Sequence, residues 1–211
     1  MLSNLASNQW KAISMQFSTV AHVPAILRES ASFVACEAGE TIFRVGDPVR
    51  RAMLVLSGEV RLIRRDPNGR EVILQRSTGG FIAEASLDSR VYHCDALAAQ
   101  TCTLLVFPAK AFLAALDEDV AFRRAWQSLL AREVRKLRSQ CERLSLNSAA
   151  DRILHYIQAE GNNGTLSLTQ SKKAWAAELG LTHEALYRTL RRMQDEGALQ
   201  VDGHQWCVCS K

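Results

Sequence analysis

No run of apolar residues in this 211-residue chain approaches the roughly 18 needed to span a membrane. The opening Met1-Leu2-Ser3-Asn4-Leu5 also lacks a basic stretch leading into an apolar core and a cleavage site. The two absences together predict a cytoplasmic protein with no membrane partner. None of the six cysteines, Cys36, Cys94, Cys102, Cys141, Cys207 and Cys209, forms a CxxC pair, so reduced thiols are expected in that compartment. The nearest approach to a ligand cluster is His204-x-x-Cys207-x-Cys209. A strand would put both cysteines on one face but supplies no fourth ligand, so ordinary strand positions are favoured and no metal site is expected. A phosphate-binding glycine loop, a Ser-His-Asp set with motif context and paired carboxylates in a glycine-rich setting are all missing, which argues against an enzyme. Neither charge sign dominates: 26 basic residues against 22 acidic give only +4, too little by itself to argue for nucleic acid.

What is present is uneven. Basic residues gather at Arg123, Arg124, Arg132, Arg135, Lys136, Arg138 and Arg143, and again from Arg188 to Arg192, although either cluster is also what a solvated helix face looks like. Apolar positions Leu5, Trp10, Ile13, Phe17 and Val20 predict one or two short helices in the first thirty residues. From Phe33 to Phe107 short apolar runs alternate with glycine: Thr41-Ile42-Phe43, Met53-Leu54-Val55-Leu56, Val60-Arg61-Leu62-Ile63, Val72-Ile73-Leu74 and Thr103-Leu104-Leu105-Val106-Phe107. These read as antiparallel strands of a sandwich or barrel, with a tight hairpin turn at Asp66-Pro67-Asn68-Gly69.

Helical periodicity takes over near Ala109. Leu130, Val134, Leu137, Cys141 and Leu144 are spaced 4, 3, 4, 3, with Phe122 and Trp126 earlier on the same stripe. One amphipathic helix packed on its own β-domain would show such a stripe. The narrow seam flanked by charge favours instead two parallel helices, hence a homodimer, in which facing Cys141 thiols can bridge on oxidation.

Ser145-Leu146-Asn147-Ser148 reads as a hinge ending in a helix N-cap. Beyond it come a helix with Ile153, Leu154 and Ile157 on one face, a strand at 165–168, and a helix capped by Ser171 with Trp175, Ala176 and Leu179 inward. Gly180 turns the chain, and Thr182 caps a second helix that buries Ala185, Leu186, Leu190 and Met193. Strands at 198–201 and 205–209 joined through Asp202-Gly203 supply a wing. Two helices on a glycine turn followed by a hairpin make a winged helix-turn-helix that binds double-stranded DNA. Helical spacing then exposes His183, Glu184, Tyr187, Arg188 and Arg191. Arg188 can pair with guanine, and Glu184 can accept from cytosine and orient the arginine; the alternative is an i, i+4 surface salt bridge. Lys172, Lys173 and Thr182 lie near helix N-termini, suited to phosphate oxygens.

This order of elements resembles the Crp/Fnr family of bacterial regulators across roughly residues 30–209. The resemblance rests on Gly39-Glu40, Val45-Gly46-Asp47, Leu56-Ser57-Gly58-Glu59-Val60, Asn68-Gly69-Arg70-Glu71 and Phe81-Ile82-Ala83-Glu84 in the β-rich region, and on Glu184-x-x-x-Arg188 with Leu190 to Gly197 beyond it. It implies an α+β fold: an N-terminal β jelly-roll of the cyclic-nucleotide-binding type (1–115), a long dimerisation helix (116–146) and a C-terminal winged helix-turn-helix domain (147–211). It further implies a homodimeric transcription regulator on a palindromic operator, with RNA polymerase as a partner and an effector site in the β-domain.

Cyclic-nucleotide-binding members hold ribose and cyclic phosphate with Phe-Gly-Glu followed by Arg-Ser/Thr-Ala. Here Glu84 keeps the ribose position, Ala83 replaces the glycine, and His93-Cys94 fall where the phosphate-binding pair is expected, with Arg90 the only cation nearby. A neutral imidazole and a thiol supply neither fixed charge nor a strong donor, which argues against cyclic AMP. Oxygen-sensing members carry an N-terminal cysteine cluster; Cys36 stands alone before Cys94, so no iron-sulfur centre is expected. The cofactor is left unassigned: haem, a soft metal or a redox thiolate at His93, Cys94 and Cys102 stand as lesser readings beside plain packing residues.

Overall fold

The computed structural model describes residues 7–65, 71–168 and 171–209. The opening Met1 to Leu5 and the turn at Asp66-Pro67-Asn68-Gly69 lie outside the described residues. The chain divides into two compact units, Met1–Leu129 and Leu130–Lys211.

The first unit begins with helices α1 (Ser7–Gln16) and α2 (Ala25–Glu29). Eight strands follow: β1 (Ser32–Cys36), β2 (Thr41–Phe43), β3 (Arg51–Ser57), β4 (Val60–Arg65), β5 (Glu71–Ser77), β6 (Gly80–Ile82), β7 (Asp95–Ala98) and β8 (Cys102–Pro108). They form two four-stranded antiparallel sheets, ordered β1-β8-β3-β6 and β2-β7-β4-β5. Sequence reading found five of these strands; β1, β6 and β7 escaped it because they are short or lack alternation. The arms of the expected hairpin are present, β4 and β5 pairing from Val60↔Ser77 to Arg65↔Glu71.

Residues from both sheets share one apolar core, including Met53, Val55, Leu104 and Val106 from the first and Phe43, Val60, Leu62 and Ala96 from the second. Alternate side chains of β3 and β8, Leu54, Leu105 and Phe107, are equally buried. They serve the other face of that sheet, where Phe107 meets Trp10 and Phe112. Burial on both faces is why these strands read as unbroken apolar runs. The similar run Val72-Ile73-Leu74, on the edge strand β5, is exposed instead.

Helices α3 (Ala109–Glu118) and α4 (Val120–Ser145) follow, interrupted at Asp119, whose carboxylate accepts the Phe122 N–H. Trp126 on α4 packs edge-on against Phe81 and Phe112 with centroids 5.0 Å apart. Its indole is therefore a core element of this unit, a correction to its place in the pairing stripe: only the positions beyond it stay open to a second helix.

The second unit holds the rest of α4 and then α5 (Ala149–Glu160), β9 (Thr165–Ser167), α6 (Lys172–Glu178), α7 (His183–Asp195), β10 (Leu199–Asp202) and β11 (Gln205–Val208). The three strands form a sheet ordered β10-β11-β9. Each helix after α4 starts on a hydroxyl cap that accepts a backbone N–H: Ser148 from Asp151, Ser171 from Ala174 and Thr182 from Ala185. Ile153, Ile157, Trp175, Leu179, Leu186, Leu190 and Trp206 share its core. Asp202 pairs with Gln205, so the wing turns on Gly203-His204 rather than on Asp202-Gly203, with Gly203 at φ +56°.

Candidate nucleic-acid interface

Helix α7 places its residues as its periodicity demands. Leu186, Leu190 and Met193 are buried, while His183, Glu184, Tyr187, Arg188 and Arg191 are exposed. Two positions differ from the sequence expectation. Ala185 is only half-buried, and Thr189, unassigned from sequence, is buried with its hydroxyl donating to the Ala185 carbonyl at 2.8 Å. That back-bond makes an inward threonine tolerable on an otherwise apolar face.

At the N-terminus of α7 the Thr182 hydroxyl caps the helix. The carboxyl of Glu184 is held below its ordinary range by its own backbone N–H and by the Thr182 hydroxyl. Glu184 and Arg188 make no ion pair with each other; the ion pair on this helix joins Arg192 to Glu196 at 3.9 Å. The side chains of Glu184 and Arg188 are both exposed, with the Glu184 carboxyl turned back onto its own N–H and the Thr182 hydroxyl. His183 and Tyr187 pack ring against ring, centroids 4.5 Å apart.

Lys172 and Lys173 occupy the first turn of α6. Lys173 is exposed, whereas Lys172 is half-buried with its ammonium 4.9 Å from the Tyr187 ring centre and 5.3 Å from that of Trp206. Sequence spacing carried no sign of this contact, since it joins two helices and the wing.

Along α4 most of the seam is exposed. Val134, Leu137 and Leu144 are 45%, 56% and 43% exposed. Cys141 is exposed and Leu130 half-buried.

The four effector candidates do not form one enclosed set. Arg90 and His93 are exposed, Glu84 is half-buried and Cys94 lies in the core between the sheets. Ala83 adopts a left-handed φ of +56°, a conformation that costs a non-glycine residue about 1 kcal/mol or more. Burial pushes the thiols of Cys94, Cys102 and Cys36 up, the last to about 11. Among the described residues no group of three or more His, Cys, Asp or Glu is placed to hold a metal ion.

Residues 33–119 match the family described as cyclic nucleotide-binding domain. The chain is 27% identical over 173 residues to the nitrogen fixation regulation protein FixK of Bradyrhizobium diazoefficiens, covering 77% of this chain and 72% of that protein. It is 28% identical over 166 residues to the cyclic AMP receptor protein of Thermus thermophilus, covering 77% of each. These similarities support a transcription regulator of the Crp/Fnr type. The solved structure of FixK2 from Bradyrhizobium japonicum shares its fold, at a TM-score of 0.60 and 22% identity over 85% of this chain and 93% of that one. Among the described residues no helix is long and apolar enough to cross a membrane.

Likeness to the Crp/Fnr type raises the question of a cyclic nucleotide, which turns on the side chains at 84, 90, 93 and 94. A cyclic phosphate needs a fixed cation and strong donors aimed into the core. Here the inward group is the buried Cys94 thiol, His93 and Arg90 are exposed, and the nearby cation is Arg64 rather than Arg90 alone, its guanidinium donating to the His93 carbonyl at 2.9 Å.

Proposed function

We propose that this Crp/Fnr regulator binds a roughly palindromic DNA operator as a homodimer, each protomer inserting the N-terminal half of α7 into a major groove. The observation that carries the reading is the exposed face His183-Glu184-Tyr187-Arg188, presented at the N-terminus of a helix whose opposite face is buried. Arg188 pairs with guanine and Glu184 accepts from a cytosine amino group, the acid also orienting the arginine. Lys172, Lys173, Thr182 and Arg191 hold phosphates on either side. The exposed seam Val134, Leu137, Cys141 and Leu144, with half-buried Leu130, is covered by the same helix of a second copy. The β-domain answers to an effector other than cyclic AMP, RNA polymerase is the downstream partner, and no enzymatic step is involved.

The test is a binding selection from random-sequence duplex DNA, combined with sedimentation of the free protein. The expected result is a dimer, a two-fold symmetric consensus and an affinity that falls steeply with salt as condensed counterions are released. A monomer with no DNA affinity at low salt overturns the reading. Millimolar cyclic AMP is expected to leave the affinity unchanged.

A further inference from the structure

The connection between α4 and α5, residues 146–148, has the composition of a free hinge, yet side chains span it on both sides. Arg143, in the last turns of α4, is only 3% exposed. Its Nη2 donates to Glu160 Oε1 at 3.1 Å, and its guanidinium carbon lies 4.4 Å from the centre of the Tyr156 ring. The Tyr156 hydroxyl in turn donates to Glu178 Oε2 on α6 at 2.8 Å. A polar series, buried at Arg143 and Tyr156 and reaching the surface at Glu160, thus runs from α4 through α5 to α6.

A second span is made by Arg152 in the first turns of α5. Its Nε donates to the Leu146 carbonyl at 2.9 Å and its Nη2 to the Leu144 carbonyl at 3.3 Å. Its Nη1 donates to the carbonyls of Leu179 and Gly180, at 3.2 and 3.3 Å. One guanidinium therefore holds the Leu144 carbonyl of α4, the Leu146 carbonyl just beyond it and the turn between α6 and α7. Only a planar fork with five N–H groups reaches both at once; an ammonium does not. At that turn a Cβ on Gly180, whose φ is +63°, would sit 2.8 Å from Leu144 Cδ2 and 3.2 Å from Arg152 Nη1. The glycine lets α4, Arg152 and the turn close on one another.

We propose that Arg143 and Arg152 are positioning residues that join the end of α4 to the helix-turn-helix as one rigid body, so that α4 sets the orientation of the recognition helix. The Arg143 Nε is buried without a partner, and a buried ion pair with such a defect adds little net stability. Its contribution is geometric: it specifies one pose of the head. In a dimer, two heads fixed to two paired helices fix the distance between half-sites, and loosening the clamp relaxes that distance while each head still reads its bases. This rests on the dimer and operator reading given above.

The experiment compares full-length wild type with the double variant Arg143→Met/Arg152→Lys on duplexes in which two half-sites are moved apart by single base pairs, and on a single half-site. Backbone hydrogen exchange of residues 144–149 and thermal melting are recorded on the same samples. The expected result is one sharp spacing optimum for wild type. In the double variant the optimum-to-off-optimum ratio falls about tenfold, the half-site affinity is unchanged and exchange at 144–149 is faster. A destabilised head would instead weaken binding at all spacings equally, which overturns the proposal. So do a spacing ratio and exchange rates that match wild type in a folded variant. If wild type shows no spacing optimum, the operator reading is what fails, and exchange at 144–149 alone decides the clamp. If the double variant does not fold, Arg152→Lys carries the same comparisons.

Discussion

The ammonium of Lys172 lies 4.9 Å from the centre of the Tyr187 ring, tying the first turn of α6 to the reading face of α7. The ring faces orient the cation without neutralising it, so under the proposed function its charge stays available to a phosphate. Lys172→Ala is expected to weaken binding to all sequences alike and to lower the slope of log affinity against log salt by about one. Titrations at several salt concentrations measure this. An unchanged slope would place Lys172 as a purely structural prop for Tyr187.

Arg188 is exposed one turn beyond Glu184 and makes no ion pair with it, so the guanidinium is available for a bidentate contact. Arg188→Ala is expected to cost about 1–3 kcal/mol on the preferred site and to relax selection at one G·C pair. Selection experiments on both proteins check it; the same consensus from each would remove Arg188 from the reading set.

Capping at the start of α7 predicts a pH signature. The Glu184 carboxyl titrates below its ordinary value of 4.5 in the folded state, chiefly through its own backbone N–H and then the Thr182 hydroxyl. A depressed acid stabilises the fold above the ordinary value and loses that contribution as pH falls through the folded one. The wild-type advantage in melting temperature over Glu184→Gln should hold at neutral pH and vanish in acid. Thr182→Ala removes the bond to the Ala185 N–H and is expected to cost about 1 kcal/mol at neutral pH.

The cysteines should divide by exposure. Burial keeps Cys94 and Cys102 protonated and pushes Cys36 to about 11, whereas Cys141 is exposed on the α4 seam. Alkylation of the native protein at neutral pH, mapped by mass spectrometry, is expected to mark Cys141 and spare the three core thiols. Mild oxidation should give a covalent dimer that Cys141→Ser abolishes. Failure of wild type to cross-link would argue against parallel pairing of α4 through this seam.

Within the second unit, the sequence by itself determined the helices, their caps and the exposed face of α7. A hydroxyl at Ser148, Ser171 or Thr182 meets a backbone N–H three residues on, and the apolar positions of α7 repeat with the helical period. Such interactions close within a turn, so residue order contains them. The tertiary structure decided what depends on neighbours distant in sequence. Met53-Leu54-Val55, on an inner strand of one sheet, is buried on both faces, while Val72-Ile73-Leu74, on an edge strand of the other, is exposed. Trp126 enters the first unit's core, although it continues the stripe of Leu130 and Val134. Arg143 and Arg152, indistinguishable in sequence from solvated helix charges, span the 146–148 connection because their partners sit on α5, α6 and the turn after it. A side chain's partner is set by which segments the fold brings together, and neither its period nor its charge encodes that.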